Sequence, residues 1–323
     1  MTSRKKTSLA VGVGVGAAAA TALRRRWRGR SDSKSPVPVT RTAADHDVAG
    51  RFLEHLAAAI RIPTVSTEDG MDAAVFGDMR RFIESTYPNV HARLSREVVG
   101  EHTLFYTWPG TDPDAAPLLL MAHQDVVPVE PGTEEDWEHP PFSGAVAGEH
   151  LWGRGAIDDK GSLIGILEAV EGLLDLGFAP GPTIHLLFGH DEEVGGIRGA
   201  AVIARRLASA GDRLGLVVDE GGAVVSGLFP GVGPLALIGI GEKASLDVEI
   251  TAVGDGGHSS LPPASTAVGK LAAAVRAIEE HPLPARLDVQ RPFLEALSGA
   301  IGGLRGVLLR NLALSRRLVE RLL

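Results

Sequence analysis

Three apolar runs end in groups able to bind a cation or move a proton. Leu118 to Met121 leads into His123, with Asp125 two residues on. Thr183 to Phe188 leads into Gly189-His190-Asp191-Glu192-Glu193, and Leu214 to Val218 leads into Asp219-Glu220. A neutral imidazole is a common metal ligand, and a neighbouring carboxylate can fix which ring nitrogen carries the proton. Three consecutive acids repel one another unless a proton or a cation intervenes. A further pair, Asp158-Asp159, follows a Gly153-Arg-Gly155 turn just ahead of a helical run. Each has an ordinary alternative: a histidine at a strand end, acids in solvent-facing turns, an aspartate capping a helix. Three strands ending in His/Asp, Glu/Glu and Asp/Glu outweigh those alternatives and point to one shared polar site. The chain has no cysteine, so thiol nucleophiles, disulfides and thiolate zinc sites are excluded. Any metal must be held by His, Asp and Glu.

The elements that must present these groups are legible in the hydrophobic spacing. Val48, Phe52, Leu56 and Ile60 predict a helix from about Asp47 to Ile60, ended by Pro63. Phe76, Met79 and Ile83 mark a second helix from about Ala73 to Ser85, and Val90 to Trp108 reads as paired strands. The run Leu118 to Met121 reads as a buried strand, and buried strands of α/β sheets deliver functional side chains at their carboxyl ends. Leu163, Ile166, Leu167, Val170 and Leu174 form one face of a helix from Ser162 to Leu176. A helix from Gly199 to Leu207 separates the second and third acid-ended strands. Alternation of strand and helix implies a mainly parallel sheet. From Gly239 the character changes: Leu246, Val248 and Ile250 alternate with polar residues, as in a half-exposed strand. A helix near Thr266 to Glu279 follows, and Val307 to Leu323 reads as an amphipathic basic–apolar helix.

Bulk properties narrow the function. The 323 residues carry a net charge of −8, but residues 1–30 hold eight basic residues and no acid, leaving −16 on the remainder. Such an acidic body argues against nucleic-acid binding, which needs a basic face. Leu9 to Leu23 is an apolar, Ala/Gly/Val-rich stretch bracketed by basic clusters and shorter than a comfortable membrane span. It fits a secretory signal, with Ala20-Thr-Ala22 as a cleavage site, or a membrane anchor. The Arg24–Arg30 cluster would resist export, and orientation stays open. A secreted or membrane-anchored protein is favoured over a cytoplasmic one. Gly12-Val-Gly14 only superficially matches a dinucleotide fingerprint, since no strand precedes it. Residues 31–42 read as a linker.

His123-x-Asp125, Gly153-Arg-Gly-Ala-Ile-Asp158-Asp-Lys-Gly161, Asp191-Glu-Glu193, Asp219-Glu-Gly221 and Gly257-His258-Ser occur in a fixed order. In that order they closely resemble the zinc metallopeptidase family of aminoacylase-1, carboxypeptidase S, acetylornithine deacetylase and succinyl-diaminopimelate desuccinylase. His123-Gln-Asp-Val-Val-Pro-Val129 and Val218-Asp-Glu-Gly-Gly222 look most like its carboxypeptidase S and N-acyl-amino-acid hydrolase branch. The resemblance implies an α/β fold, a mainly parallel mixed sheet with flanking helices, plus a partial α+β ferredoxin-like lid. Residues 1–42 would be signal or anchor and linker, 43–238 the first part of the catalytic domain, and 239–323 an incomplete lid and dimerisation domain.

The resemblance implies two zinc ions per subunit bridged by Asp158, with cobalt or manganese as other metals that N/O sites accept. His123 and Asp219 would complete one metal's protein shell, Glu220 being the weaker candidate, and Glu193 would bind the other metal. Asp125 would orient His123, and Glu192 would be the general base that takes a proton from the attacking water and passes it to the leaving amine. His258 would reach a partner subunit's site and bind substrate or oxyanion, its alternative being an ordinary loop histidine. The substrate would be a small N-acyl amino acid or peptide, and the assembly a homodimer through the lid. Family members supply a last histidine ligand near the carboxyl end. Only His281 follows His258 here, in a Glu-Glu-His-Pro turn, so by the resemblance the second metal would be short of one ligand. The alternative is a truncated, inactive homologue that binds metal or dimerises without turnover.

Overall fold

The computed structural model describes residues 43–211, 213–228, 232–239, 248–258, 260–261, 263–283, 287–301, 303–311 and 315. The expected signal or anchor and linker, Leu246 and the end of the expected terminal helix lie outside them. Among the described residues no helix is long and apolar enough to cross a membrane. They form two compact units, one of residues 43–93 and 126–178 and one of residues 94–125 and 179 onward. The expected boundary at 238/239 falls inside the second unit.

The first unit is built on three helices that carry the predicted apolar stripes: α1 (Ala43–Ile60), α2 (Ala73–Thr86) and, after the short α3 (Pro88–Arg93), α4 (Lys160–Asp175). Leu56, Ala59 and Ile60 of α1, Phe76, Met79 and Ile83 of α2, and Leu163, Leu167, Val170 and Leu174 of α4 are buried. Asp72 caps α2, its carboxylate accepting the Ala74 N–H at 2.9 Å, which satisfies one of the donors a helix start leaves open. Two-stranded pairs β1–β2 (Ser66–Thr67 and Gly70–Met71) and, further on, Ala145–Ala147 with His150–Trp152 complete the unit.

The buried face of α4 also carries a carboxylate. Glu168 accepts the Tyr87 phenol at 3.0 Å, meets His55 Nδ1 in a short contact, and lies 3.6 Å from Arg51 Nε. Burial and the Glu168 charge push the Tyr87 phenol well up, so Tyr87 stays a donor. This network ties α1 and the start of α3 to α4, which leads directly out of Asp158-Asp159.

In the second unit, β3 (Ser95–Val99), β4 (Thr103–Trp108), β5 (Leu118–His123), β8 (Ile184–Gly189) and β9 (Leu216–Val218) form one sheet in the order β3-β4-β8-β5-β9. Here Ala145–Ala147 and His150–Trp152 of the first unit take the numbers β6 and β7. β5 runs parallel to β8 and β9, whereas β3–β4 and β4–β8 are antiparallel, so the sheet is mixed. The hairpin β3–β4 turns at Gly100, whose φ of 63° and approach to the Arg198 carbonyl leave no room for a side chain. Helix α5 (Ala200–Ala210) packs Ile203 and Leu207 onto Phe105, Leu119 and Leu187 of the sheet. Register pairs His123 with Gly189, so β5 and β8 end side by side.

Beyond the sheet come the pair β10–β11 (Ala223–Val225 and Leu235–Leu237) and the helices α6 (Ala267–Glu280), α7 (Leu287–Ile301) and α8 (Gly303–Arg310). Thr266 caps α6 by accepting the Gly269 N–H at 3.0 Å. Residues 248–250 form no strand, unlike the alternation that predicted one. Of the expected terminal helix from Val307, residues Val307 to Arg310 lie in α8 and Asn311 is in a turn.

Candidate metal centre

His123 is the last residue of β5 and is buried. Its Nδ1 lies 2.9 Å from the backbone carbonyl of Asp125. A carbonyl oxygen only accepts, so in this bond Nδ1 carries the proton and Nε2 presents the lone pair. That lone pair faces carboxylate oxygens: Nε2 is 3.4 Å from Glu220 Oε2 and 3.9 Å from Glu192 Oε2. A ligand oxygen of Glu193 lies within 4.8 Å of the imidazole's ligand nitrogen. Converging lone pair and carboxylates repel one another until a proton or cation sits among them. Imidazole nitrogen with carboxylate oxygens is the donor set of hydrolytic zinc and of other divalent first-row metals. The residues therefore fit a metal.

Asp125, fully buried, organises the cluster from behind. Oδ1 accepts the Glu192 N–H at 3.2 Å, Oδ2 accepts the Glu193 N–H at 3.1 Å, and Oδ1 lies 3.4 Å from His123 Nδ1. Its carboxylate thus fixes the 3-10 turn Glu192–Val194 that carries two expected site residues, while its backbone carbonyl sets the His123 tautomer. Spacing suggested only the relation to His123. The hold on the Glu192–Glu193 backbone had no signal in the sequence.

The other acids separate by role. Asp191 is buried and accepts the Arg198 N–H at 2.7 Å, which removes it from the cluster and makes it a brace for the loop ahead of α5. Asp219 is exposed, and its Oδ1 accepts the N–H of Glu220 at 3.0 Å; of the two neighbours, the structure brings Glu220 against His123. His258 is exposed and its Nδ1 lies 2.7 Å from Ser260 Oγ. His281 follows α6, with Nδ1 2.8 Å from the Ala277 carbonyl oxygen. Asp158 belongs to the first unit, where it is exposed and joined to buried Asp159 by a cis peptide at the entry to α4.

An apolar cavity of about 370 Å³ lies between α5 and the sheet, lined by residues such as Leu119, Met121, Ile203 and Val217. No titratable group among the described residues lines it, so the chemistry is sought in the polar cluster at the strand ends.

His190 supports the sheet's end. It is wholly buried, with Nδ1 2.6 Å from Thr103 Oγ1 and 3.7 Å from Asp191 Oδ1. Burial holds its pKa below the ordinary histidine value, against the upward pull of Asp191. The unfolded chain therefore takes up a proton before the folded one does. Stability from a neutral His190 is fully present above the unfolded value of about 6.5 and is lost as pH falls through and below it. Denaturant melts at pH 7.5 and 5.5 are expected to show a loss of stability on acidification that is smaller in His190→Gln. An equal loss in both would assign the acid sensitivity elsewhere.

The model of peptidase family M20/M25/M40 matches residues 119–302, from the body of β5 through α7. The chain belongs to that family. Among its M20 relatives, the N-fatty-acyl-amino acid synthase/hydrolase PM20D1 of Xenopus tropicalis is 37% identical over 279 residues, covering 84% of this chain and 54% of the relative. Carboxypeptidase S of Saccharomyces cerevisiae is 39% identical over 268 residues, covering 79% of this chain and 46% of the relative. The solved structure of the di-peptidase Dug1p from Saccharomyces cerevisiae matches with a TM-score of 0.47 and 20% identity, over 58% of this chain and 41% of that one. The chain spans about half the length of the curated relatives it matches. M20 membership implies a metal cofactor, and the His/carboxylate cluster supplies groups suited to it.

Proposed function

We propose that this protein is a metal-dependent amide hydrolase acting on N-acyl amino acids or on small peptides at their carboxyl end. The observation that carries this is the His123 Nε2 lone pair facing Glu220, just past β9, and Glu192, on a turn clamped by Asp125. In this reading His123, Glu193 and Glu220 would hold zinc, and the family resemblance implies Asp158 as a further ligand. Glu220 takes the place that the resemblance implies for Asp219, because it is the one within 3.4 Å of His123. Bound zinc would polarise the amide carbonyl and acidify the attacking water. Glu192, more than half exposed and so open to substrate, takes that water's proton and returns it to the leaving amine. Asp125 holds Glu192 and Glu193 in register while this happens.

Names among the relatives support the substrate class, since one is an N-fatty-acyl-amino acid synthase/hydrolase and another a carboxypeptidase. The same resemblance supports a homodimer through residues 239–323, with His258 contributing to the partner's substrate site. Residues 9–23 support export or membrane attachment. The test is calorimetric titration of chelator-stripped protein with Zn²⁺, followed by hydrolysis of a panel of N-acyl amino acids. Saturable binding that weakens in His123→Ala, with activity lost to chelator and restored by Zn²⁺, is the expected result. Metal binding without turnover would leave a non-hydrolytic metal-binding protein, and no binding would overturn the proposal.

A further inference from the structure

Lys160 opens α4 immediately after Asp158-Asp159, and its side chain is completely buried. Lysines are almost never fully buried unless their charge is matched. Here Nζ donates to the carbonyls of Ala59 at 3.0 Å and Ile62 at 2.6 Å, at the carboxyl end of α1 and just past it. A helix end leaves its last carbonyls without intrahelical donors and gathers partial negative charge, so an ammonium placed there meets both needs. The lysine stem is enclosed as well. A Cβ on Gly155 would come within 3.3 Å of Lys160 Cδ and 2.7 Å of Val126 Cγ1, and one on Gly153 within 2.5 Å of Ile60 Cγ2. The Gly153-Arg-Gly155 turn is therefore packed down on the lysine and on the last residue of α1. At the other end of the link, the Leu163 N–H bonds the Asp159 carbonyl at 3.1 Å and fixes that residue in the first turn of α4.

We propose that Lys160 is a positioning residue: by anchoring the first turn of α4 to the carboxyl-terminal carbonyls of α1, it sets the backbone that presents Asp158 to the metal. This rests on the reading of Asp158 as a ligand. A lysine that merely holds two helices together would affect melting. One that places Asp158 affects metal affinity through Asp158, and the two differ in a double-mutant cycle.

The experiment measures Zn²⁺ affinity of chelator-stripped protein by competition with a fluorescent chelator. Wild type, Lys160→Met, Asp158→Asn and the double variant are compared, all at a temperature where circular dichroism shows them folded. Lys160→Met keeps the stem's length and removes the donors. It is expected to weaken Zn²⁺ roughly ten- to a hundredfold, as is typical when an outer partner of a metal site is lost. In the Asp158→Asn background it is expected to have almost no further effect, because residues acting as one unit are non-additive. If Lys160→Met does not fold, Lys160→Gln, which keeps one donor head, carries the same cycle. Unchanged affinity, or losses that simply add, would overturn the positioning role while leaving Asp158 a ligand. If Asp158→Asn binds Zn²⁺ as wild type does, it is the ligand reading that fails.

Discussion

Replacing Glu192 by Gln is expected to abolish turnover while leaving metal binding intact. Gln keeps the volume and the backbone N–H that Asp125 Oδ1 accepts at 3.2 Å, so the turn should persist. What it loses is the basic oxygen. A positioned general base contributes about a hundred- to ten-thousand-fold, equivalent to roughly 3–5 kcal/mol of barrier. The loss is expected in kcat, with KM and Zn²⁺ affinity within a few-fold of wild type, measured by steady-state hydrolysis of an N-acyl amino acid and by metal titration. The geometry also names the competitor. Glu220 Oε2 lies closer to His123 Nε2 than Glu192 Oε2 does, 3.4 Å against 3.9 Å. We assign Glu220 to the metal because its side chain is the less exposed of the two, and Glu192 to the proton because its side chain is open to solvent. If Glu192→Gln stays active and Glu220→Gln does not, the two roles are exchanged.

Helices α1, α2 and α4 were legible because each buries one stripe, and a stripe of period 3.6 survives in the sequence: Phe76, Met79 and Ile83 are among the residues that α2 buries. The acids after β5 and β8 were legible because a buried run must stop before a charge begins, whereas β9, ahead of Asp219 and Glu220, is exposed. What the sequence hid is where side chains turn once regular structure ends. β9 ends at Val218, so the alternation that would have sorted Asp219 from Glu220 is lost one residue too early. Asp191, Glu192 and Glu193 are equivalent on paper, and only Arg198 and Asp125, reached by folding, separate a brace from the two glutamates proposed for the site. The expected paired strands begin later than Val90, which lies in α3; Pro88, suited to the first position of a helix, was the missed signal. Lys160 was hidden most completely. A lysine at a helix start reads as a solvated charge, and its partners, Ala59 and Ile62, are backbone carbonyls 101 and 98 positions away that no side-chain pattern marks.

Asp125→Asn is expected to injure fold and site together, and so to behave unlike Glu192→Gln. The Asp125 carboxylate accepts from two backbone N–H groups, one on each oxygen. An amide has one acceptor oxygen and one NH₂, so whichever way the substituted side chain turns, one backbone donor faces another. Hydrogen bonds to a charged group are worth about 1.5–3 kcal/mol each, and an unsatisfied buried donor costs about 1–3 kcal/mol more. A stability loss of roughly 2–4 kcal/mol follows, read from denaturant melts of the metal-free protein. Because the freed turn carries Glu193, Zn²⁺ affinity is expected to fall about ten- to a hundredfold as well. His123 separates the two effects. Its Nδ1–H is held by the Asp125 backbone carbonyl at 2.9 Å, which the substitution leaves in place, so the imidazole should keep its tautomer. Nuclear magnetic resonance of the His123 ring nitrogens should then show Nδ1 still protonated in Asp125→Asn. A change of tautomer would mean that the carboxylate at 3.4 Å, not the carbonyl, orients the histidine.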